Sequence, residues 1–149
     1  MLLSKKKNYD QKIKNILLYS LLYEVNYQLM SDKTNQSSGN QKSTSIVEKM
    51  KIYIGQSINR NLTVDDVAHH FGFSKAHTQR LFASEAHTTV KAYINEIRIK
   101  CIKECLMSTN VSLNSLANEF GFPNEVALNK YFKYHTGKSI RNFREQYLN

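Results

Sequence analysis

Apolar side chains recur at helical spacing along most of this chain. From about Tyr9 to Met30, Ile13, Ile16, Leu17, Leu21, Val25 and Leu29 fall on one stripe. Leu18, Tyr19, Leu22, Tyr23 and Tyr27 widen it. A lone helix cannot bury so broad a face, so this one must dock on the rest of the chain, on a second copy or on a domain outside the sequence, and one of the last two is expected. The polar run SDKTNQSSGNQKS, 31–43, reads as a flexible linker and the main domain boundary.

A helix is expected from Thr44 to about Ser57, with Ile46, Met50, Tyr53 and Ile54 on one face, capped by Thr44 or Ser45 and closed by Gly55 and Asn59-Arg60-Asn61. Thr63-Val64-Asp65-Asp66 has the form of a capping box, and the short helix it opens ends at Gly72. Ser74 then caps a helix running to about Ser84. Thr78, Leu81 and Phe82 can point inward there, and Lys75, Ala76, Gln79 and Arg80 outward. From about Thr88 to Met107, Val90, Tyr93, Ile94, Ile97, Ile102, Cys105 and Leu106 suit a central helix with contacts on both sides. Arg98 within it reads as a buried or half-buried brace to a carboxylate or carbonyl.

The pattern then repeats. Leu116-Ala117-Asn118-Glu119-Phe120-Gly121-Phe122 echoes Val67-Ala68-His69-His70-Phe71-Gly72-Phe73, 49 residues on. Phe132, Gly137 and Ile140 match Phe82, His87 and Val90 at 50, so the second copy holds one extra residue. A second outward-facing helix is expected from about Asn124 to Tyr134, and a last one, capped by Ser139, carries Ile140, Phe143, Tyr147 and Leu148. Two copies are too few for a solenoid. They fit an all-α fold in which two helix-turn-helix units share a long central helix, preceded by the separate amphipathic N-terminal helix.

Composition agrees with helices. One Pro and 5 Gly in 149 residues argue against a turn-rich β chain. The 21 Lys and Arg against 12 Asp and Glu favour a polyanion as partner. The excess is shared: 7 basic against 3 acidic before Thr44, and 14 against 9 from there on. Gln and Arg, present on the first outward face as Gln79 and Arg80, read base edges bidentately, Gln against adenine and Arg against guanine. Cys101 and Cys105 lie four apart on one helix face with no further ligand set, and read as small core hydrophobes. No metal and no cofactor is expected. Scattered His, unpaired acids and the lack of a phosphate loop or nucleophile motif argue against an enzyme. Lys5-Lys6-Lys7 precedes an apolar run that is too short to span a bilayer and lacks a cleavage site. A cytoplasmic, nucleoid-associated protein is expected, with no membrane partner.

From about Ile46 to Glu145 the chain resembles the C-terminal DNA-binding domain of AraC/XylS-type bacterial transcription regulators. The second unit carries most of the resemblance: Ser112-Leu113, Leu116-Ala117, Gly121-Phe122, Phe132-Lys133, Thr136-Gly137 and Phe143-Arg144. The first adds Leu62-Thr63, Ala68, Gly72-Phe73-Ser74, Arg80-Leu81-Phe82, Tyr93 and Arg98. The chain departs from the family where His87 replaces a common Gly and Ile140 a common Pro. Ala127-Leu128 also replaces the aromatic or large apolar residue usual before the Asn-Lys pair. His87 makes a left-handed turn costlier, and Ile140 loses a preset backbone angle.

The resemblance implies a seven-helix domain over residues 44–149, with two recognition helices on one face entering successive major grooves of double-stranded promoter DNA. The first would read bases through Ala76, Gln79 and Arg80, with Lys75 and His77 nearby, and the second through Glu125, Val126, Asn129 and Lys130. Glu125 can accept from a cytosine amino group but repels phosphate, which leaves the second module weaker or more selective. Ser74, Thr88, Thr89, Lys138 and Ser139, at helix starts, suit phosphate contact. RNA polymerase is an expected partner. So is a second copy, joined through the N-terminal helix or a sensor domain. The first 43 residues resemble the final helix and linker of such a companion domain, so the chain is expected to be a C-terminal fragment of a longer regulator or a short member lacking its sensor. The rival class is a protein-interaction module that works through the apolar N-terminal helix, its basic surface incidental.

Overall fold

The structure is a computed structural model that describes residues 44–58, 61–108 and 111–147. The N-terminal helix and linker expected in residues 1–43 lie outside them. Among the described residues there are seven helices and no strand: α1 (Ile46–Ser57), α2 (Val64–His70), α3 (Lys75–Ala86), α4 (Val90–Ser108), α5 (Leu113–Glu119), α6 (Glu125–Thr136) and α7 (Ile140–Tyr147).

Packing divides the chain between Gln56 and Ser57. On the N-terminal side, Ser45 Oγ accepts the Glu48 N–H at 3.1 Å and so caps α1, whose buried stripe is Val47, Met50 and Ile54. Gly55 does not close the helix. It is buried within it, and α1 runs on to Ser57. Glycine stops a helix by turning left-handed, and among the described residues only Gly72, Gly121, Gly137 and His87 have positive φ.

The C-terminal unit is built twice over. In the first module α2 packs on α3, and α3 on the 19-residue α4. In the second α5 packs on α6, and α7 closes against α6 and α4. Thr63 opens α2 as a reciprocal cap: its Oγ1 accepts the Asp66 N–H at 3.2 Å, and its own N–H donates to Asp66 Oδ2 at 2.7 Å. The Thr63 hydroxyl also donates to Asp66 Oδ2 at 2.6 Å, and that bond first, with the Thr63 backbone N–H after it, holds the Asp66 carboxyl below its ordinary range. Phe82 is fully buried and its ring meets Tyr93 of α4 at 5.4 Å; Phe132, also fully buried, meets Phe143 of α7 edge-on at 5.3 Å. Leu116, Phe120, Leu128 and Ile140 complete the second core. Each such side chain contributes roughly 1.5–3 kcal/mol by leaving water.

Both α3 and α6 have 12 residues. Their caps, Ser74 and Asn124, are 50 apart while the Gly72 and Gly121 corners are 49 apart. The extra residue of the second copy is therefore Pro123, between corner and cap. Cys105 is buried and Cys101 half-buried; burial first, and neighbouring glutamates after it, push both thiols up to about 12. They stay protonated and fill space on α4.

Candidate nucleic-acid interface

Each recognition helix is aimed by the corner before it. At the end of α2 the Phe73 N–H donates to Ala68 O at 2.9 Å and the Gly72 N–H to His69 O at 3.1 Å, with Gly72 at φ +70°. The second corner repeats this: Phe122 N–H to Ala117 O at 2.8 Å, Gly121 N–H to Asn118 O at 3.4 Å, Gly121 at φ +75°. This double bond around a left-handed residue is the Schellman end of a helix, and it favours glycine because a Cβ is strained there. The next helix starts within two or three residues. Ser74 Oγ accepts the His77 N–H at 3.2 Å and Asn124 Oδ1 the Ala127 N–H at 2.9 Å.

On α3, Thr78 and Phe82 are buried, and Thr78 Oγ1 donates to Ser74 O at 3.1 Å. Leu81, expected inside, is only half-buried. Lys75, Ala76, His77, Gln79 and Arg80 are all exposed. Lys75 Nζ donates to Asp65 Oδ2 at 2.8 Å, a pair open to water and worth at most about 1 kcal/mol, so a phosphate can displace it. The His77 ring leans edge-on against Phe73 at 4.9 Å, which restrains it.

On α6, Glu125, Val126 and Lys130 are exposed, and Leu128 and Phe132 buried. Asn129 is half-buried, and its Oδ1 accepts the Ile140 N–H at 3.0 Å. A Pro at 140 would have no N–H to satisfy. Ile140 has one, at the unpaired start of α7, and Asn129 satisfies it. The carbonyl half of the amide is thereby committed to the fold.

Three of the five residues expected at phosphates, Ser74, Thr89 and Ser139, cap helices. Thr89 Oγ1 accepts the Ala92 N–H at 3.1 Å and Ser139 Oγ the Asn142 N–H at 3.2 Å. Each hydroxyl, like that of Ser74, keeps its own O–H as a donor. Thr88 is half-buried; Lys138 is exposed, and its Nζ donates to Gln146 Oε1 at 2.9 Å.

Behind the helices lies a set of braces. Arg98, 8% exposed, donates from Nη2 to Leu62 O at 3.4 Å, the carbonyl before the Thr63 cap. Arg144 Nη2 does the same for Val111 O at 2.7 Å, the carbonyl before the Ser112 cap. Each module thus has its first helix start held by an arginine from a helix that follows its recognition helix. The Arg98 charge also acts on Tyr131 of α6, whose hydroxyl donates to Asn95 Oδ1 of α4 at 3.1 Å. Burial raises the Tyr131 hydroxyl, and burial with the Arg98 charge lowers His135, whose ring lies 4.5 Å from that of Tyr131. A Cβ on Gly121 would stand 3.3 Å from Asn61 Cβ, so the second corner sits tightly on the loop that leads into the first module. Sequence reasoning missed Asn95, Tyr131 and Asn61, because no local period marks a contact 36 residues away or more.

A family model described as a helix-turn-helix domain matches residues 59–146. The chain belongs to the AraC-type helix-turn-helix family. Among AraC-type relatives, the raffinose operon transcriptional regulatory protein RafR of Pediococcus pentosaceus is 28% identical over 137 residues, 89% of this chain and 48% of its own. The Msm operon regulatory protein of Streptococcus mutans is 24% identical over 139 residues, 92% and 50%. The chain spans about half the length of the curated relatives it matches. Among solved structures, the C-terminal domain of AraT, a response regulator from Geobacillus stearothermophilus, is similar at TM-score 0.65 and 23% identity, over 72% of this chain and 88% of that one. The DNA-binding domain of AdpA, solved with a target DNA, is similar at 0.61 and 20%, over 68% and 91%. Both show the AraC-type fold, two helix-turn-helix units on a central helix.

Proposed function

We propose that this chain is a sequence-specific double-stranded DNA-binding transcription regulator that places α3 and α6 in successive major grooves, about one helical turn or 34 Å apart. The observation that carries this reading is the exposed row Lys75, Ala76, Gln79 and Arg80 on a helix aimed by a Schellman corner and anchored through Thr78 and Phe82. Gln79 and Arg80 read adenine and guanine edges, and Ala76 meets a thymine methyl. On α6, Val126 offers a methyl contact and Lys130 a charge, while Asn129 retains only its amide N–H donors for a base. Ser74, Thr88, Thr89, Lys138 and Ser139 face phosphates and set the register.

Both relatives are named as operon regulators, which supports control of an operon promoter. RNA polymerase is then the natural protein partner, and a second copy the natural means of occupying paired sites. A match over 89% of the chain reaches further than residues 44–149 alone can supply, which supports a companion domain joined ahead of Thr44.

Arg80→Ala and Lys138→Ala in a gel-shift titration test the reading. Arg80→Ala should cost about 1–3 kcal/mol on the preferred site and relax one base position. Lys138→Ala should weaken all duplexes alike and reduce the salt slope by about one. Binding by the unaltered chain that is indifferent to both sequence and salt would return the N-terminal helix, and a protein partner, to first place.

A further inference from the structure

We infer that, within this DNA-binding reading, the two recognition helices divide the work: α3 reads bases, whereas α6 chiefly grips the sugar-phosphate wall, with Lys133 and Tyr134 as its holding residues. Val126, Lys130, Lys133 and Tyr134 stand at i, i+4, i+7 and i+8 on α6, all exposed, and Tyr134 is 85% exposed. At a rise of 1.5 Å per residue this stripe is about 12 Å long. A recognition helix meets base edges with its N-terminal residues. Side chains two turns further on have left the floor of the groove and stand beside its rim. Lysine supplies charge there, and the tyrosine hydroxyl donates to a phosphate oxygen without desolvating a second charge.

The counterparts 50 residues earlier on α3 are Ala76, Arg80, Ala83 and Ser84. Ala83 offers only a methyl group, and Ser84 Oγ donates to Leu81 O at 2.8 Å. So α3 carries reading chemistry at its front and none at its rear. On α6 the order is inverted. At its front Glu125 repels phosphate, Val126 offers an apolar contact alone, Asn129 turns its carbonyl oxygen to the Ile140 N–H, and Lys130, where α3 has Arg80, is a point charge without the planar fork of arginine. At its rear stand Lys133 and Tyr134.

Selection of bound duplexes from a random pool by the unaltered chain should yield one half-site with sharp base preferences and one with shallow ones. Lys133→Ala should lower the salt slope by about 0.9. Tyr134→Ala should weaken binding about tenfold, equally on the best site and on that site with its shallow half scrambled. Both residues are exposed, so neither variant should lower the thermal midpoint. Equally sharp preferences in both half-sites would overturn the proposal. So would unchanged affinity in both variants, or a loss that follows a fall in melting temperature. A chain that binds no duplex loses the DNA-binding reading itself, and that failure shows in the unaltered protein before any variant is made.

Discussion

His87 and Gly137 end their helices at equivalent places, and the pair allows backbone strain to be weighed on its own. His87 has φ 54° and ψ 23°, and its N–H donates to Ala83 O at 3.1 Å; Gly137 has φ 75°, and its N–H donates to Lys133 O at 2.8 Å. A left-handed residue with a Cβ costs roughly 1–2 kcal/mol. Glycine in its place gives up roughly 0.5–1 kcal/mol through the entropy of its unfolded chain. His87→Gly should therefore stabilise the protein by about 0.5–1 kcal/mol, or ~1–4 °C in thermal midpoint for a chain of this size. The mirror change, Gly137→Ala, should cost about 1 kcal/mol. No atom lies within 4 Å of the Cβ it would add, so only the backbone resists. Urea unfolding of the full chain, with unchanged denaturant slope, measures both. If His87→Gly is neutral or destabilising while Gly137→Ala is costly, the imidazole contributes more than its backbone strain takes away, and the reasoning fails.

Asn129→Ala should destabilise the domain by about 1 kcal/mol, as a lost helix cap does, and thermal melting would show it. Asn129→Asp should hold the start of α7, because a carboxylate suits a helix N-terminus. Arg98→Met should cost about 1–3 kcal/mol by stranding Leu62 O. It should also broaden the range of half-site spacings bound, read on duplexes with one base pair inserted or removed; unchanged spacing preference would confine Arg98 to stability. Asp66 has its folded pKa depressed, so its contribution is present above the ordinary carboxylate value near 4 and is lost as pH falls through the folded one. Asp66→Asn should flatten that part of an acid unfolding curve, and an unaltered curve would refute the assignment.

Much of this fold was legible because its signals are local. Thr63 with Asp66, and Ser74 before an apolar-polar stripe, state where helices begin, and the repeated Phe-Gly-Phe corner states that one unit occurs twice. The stripe also separated Thr78 and Phe82 from Gln79 and Arg80. Arg98, in the middle of the central helix, was expected to brace a carboxylate or carbonyl, and a carbonyl brace is what the structure shows. Gly55 was misjudged because glycine ends a helix only if its φ turns positive, which composition does not state. The bond from the Ile140 N–H to Asn129 was not legible in advance, because the two lie across a turn, 11 residues apart. Tyr134 gave no warning at all: an aromatic side chain two turns into a helix reads as core until its neighbours are known.

The double engagement of Arg98, with Leu62 on one side and Tyr131 on the other, bears on how such a domain can be taken apart or recombined. Zinc fingers can be strung together because each closes around its own metal. Here a crossover in the stretch after Ser108 would pair one parent's guanidinium with another's phenol and separate the Asn61 loop from the Gly121 corner it fits. Chimeras that exchange target preference should therefore tolerate replacement of single groove-facing side chains far better than transplantation of either half. A regulator wired this way diversifies by surface substitution rather than by shuffling of parts.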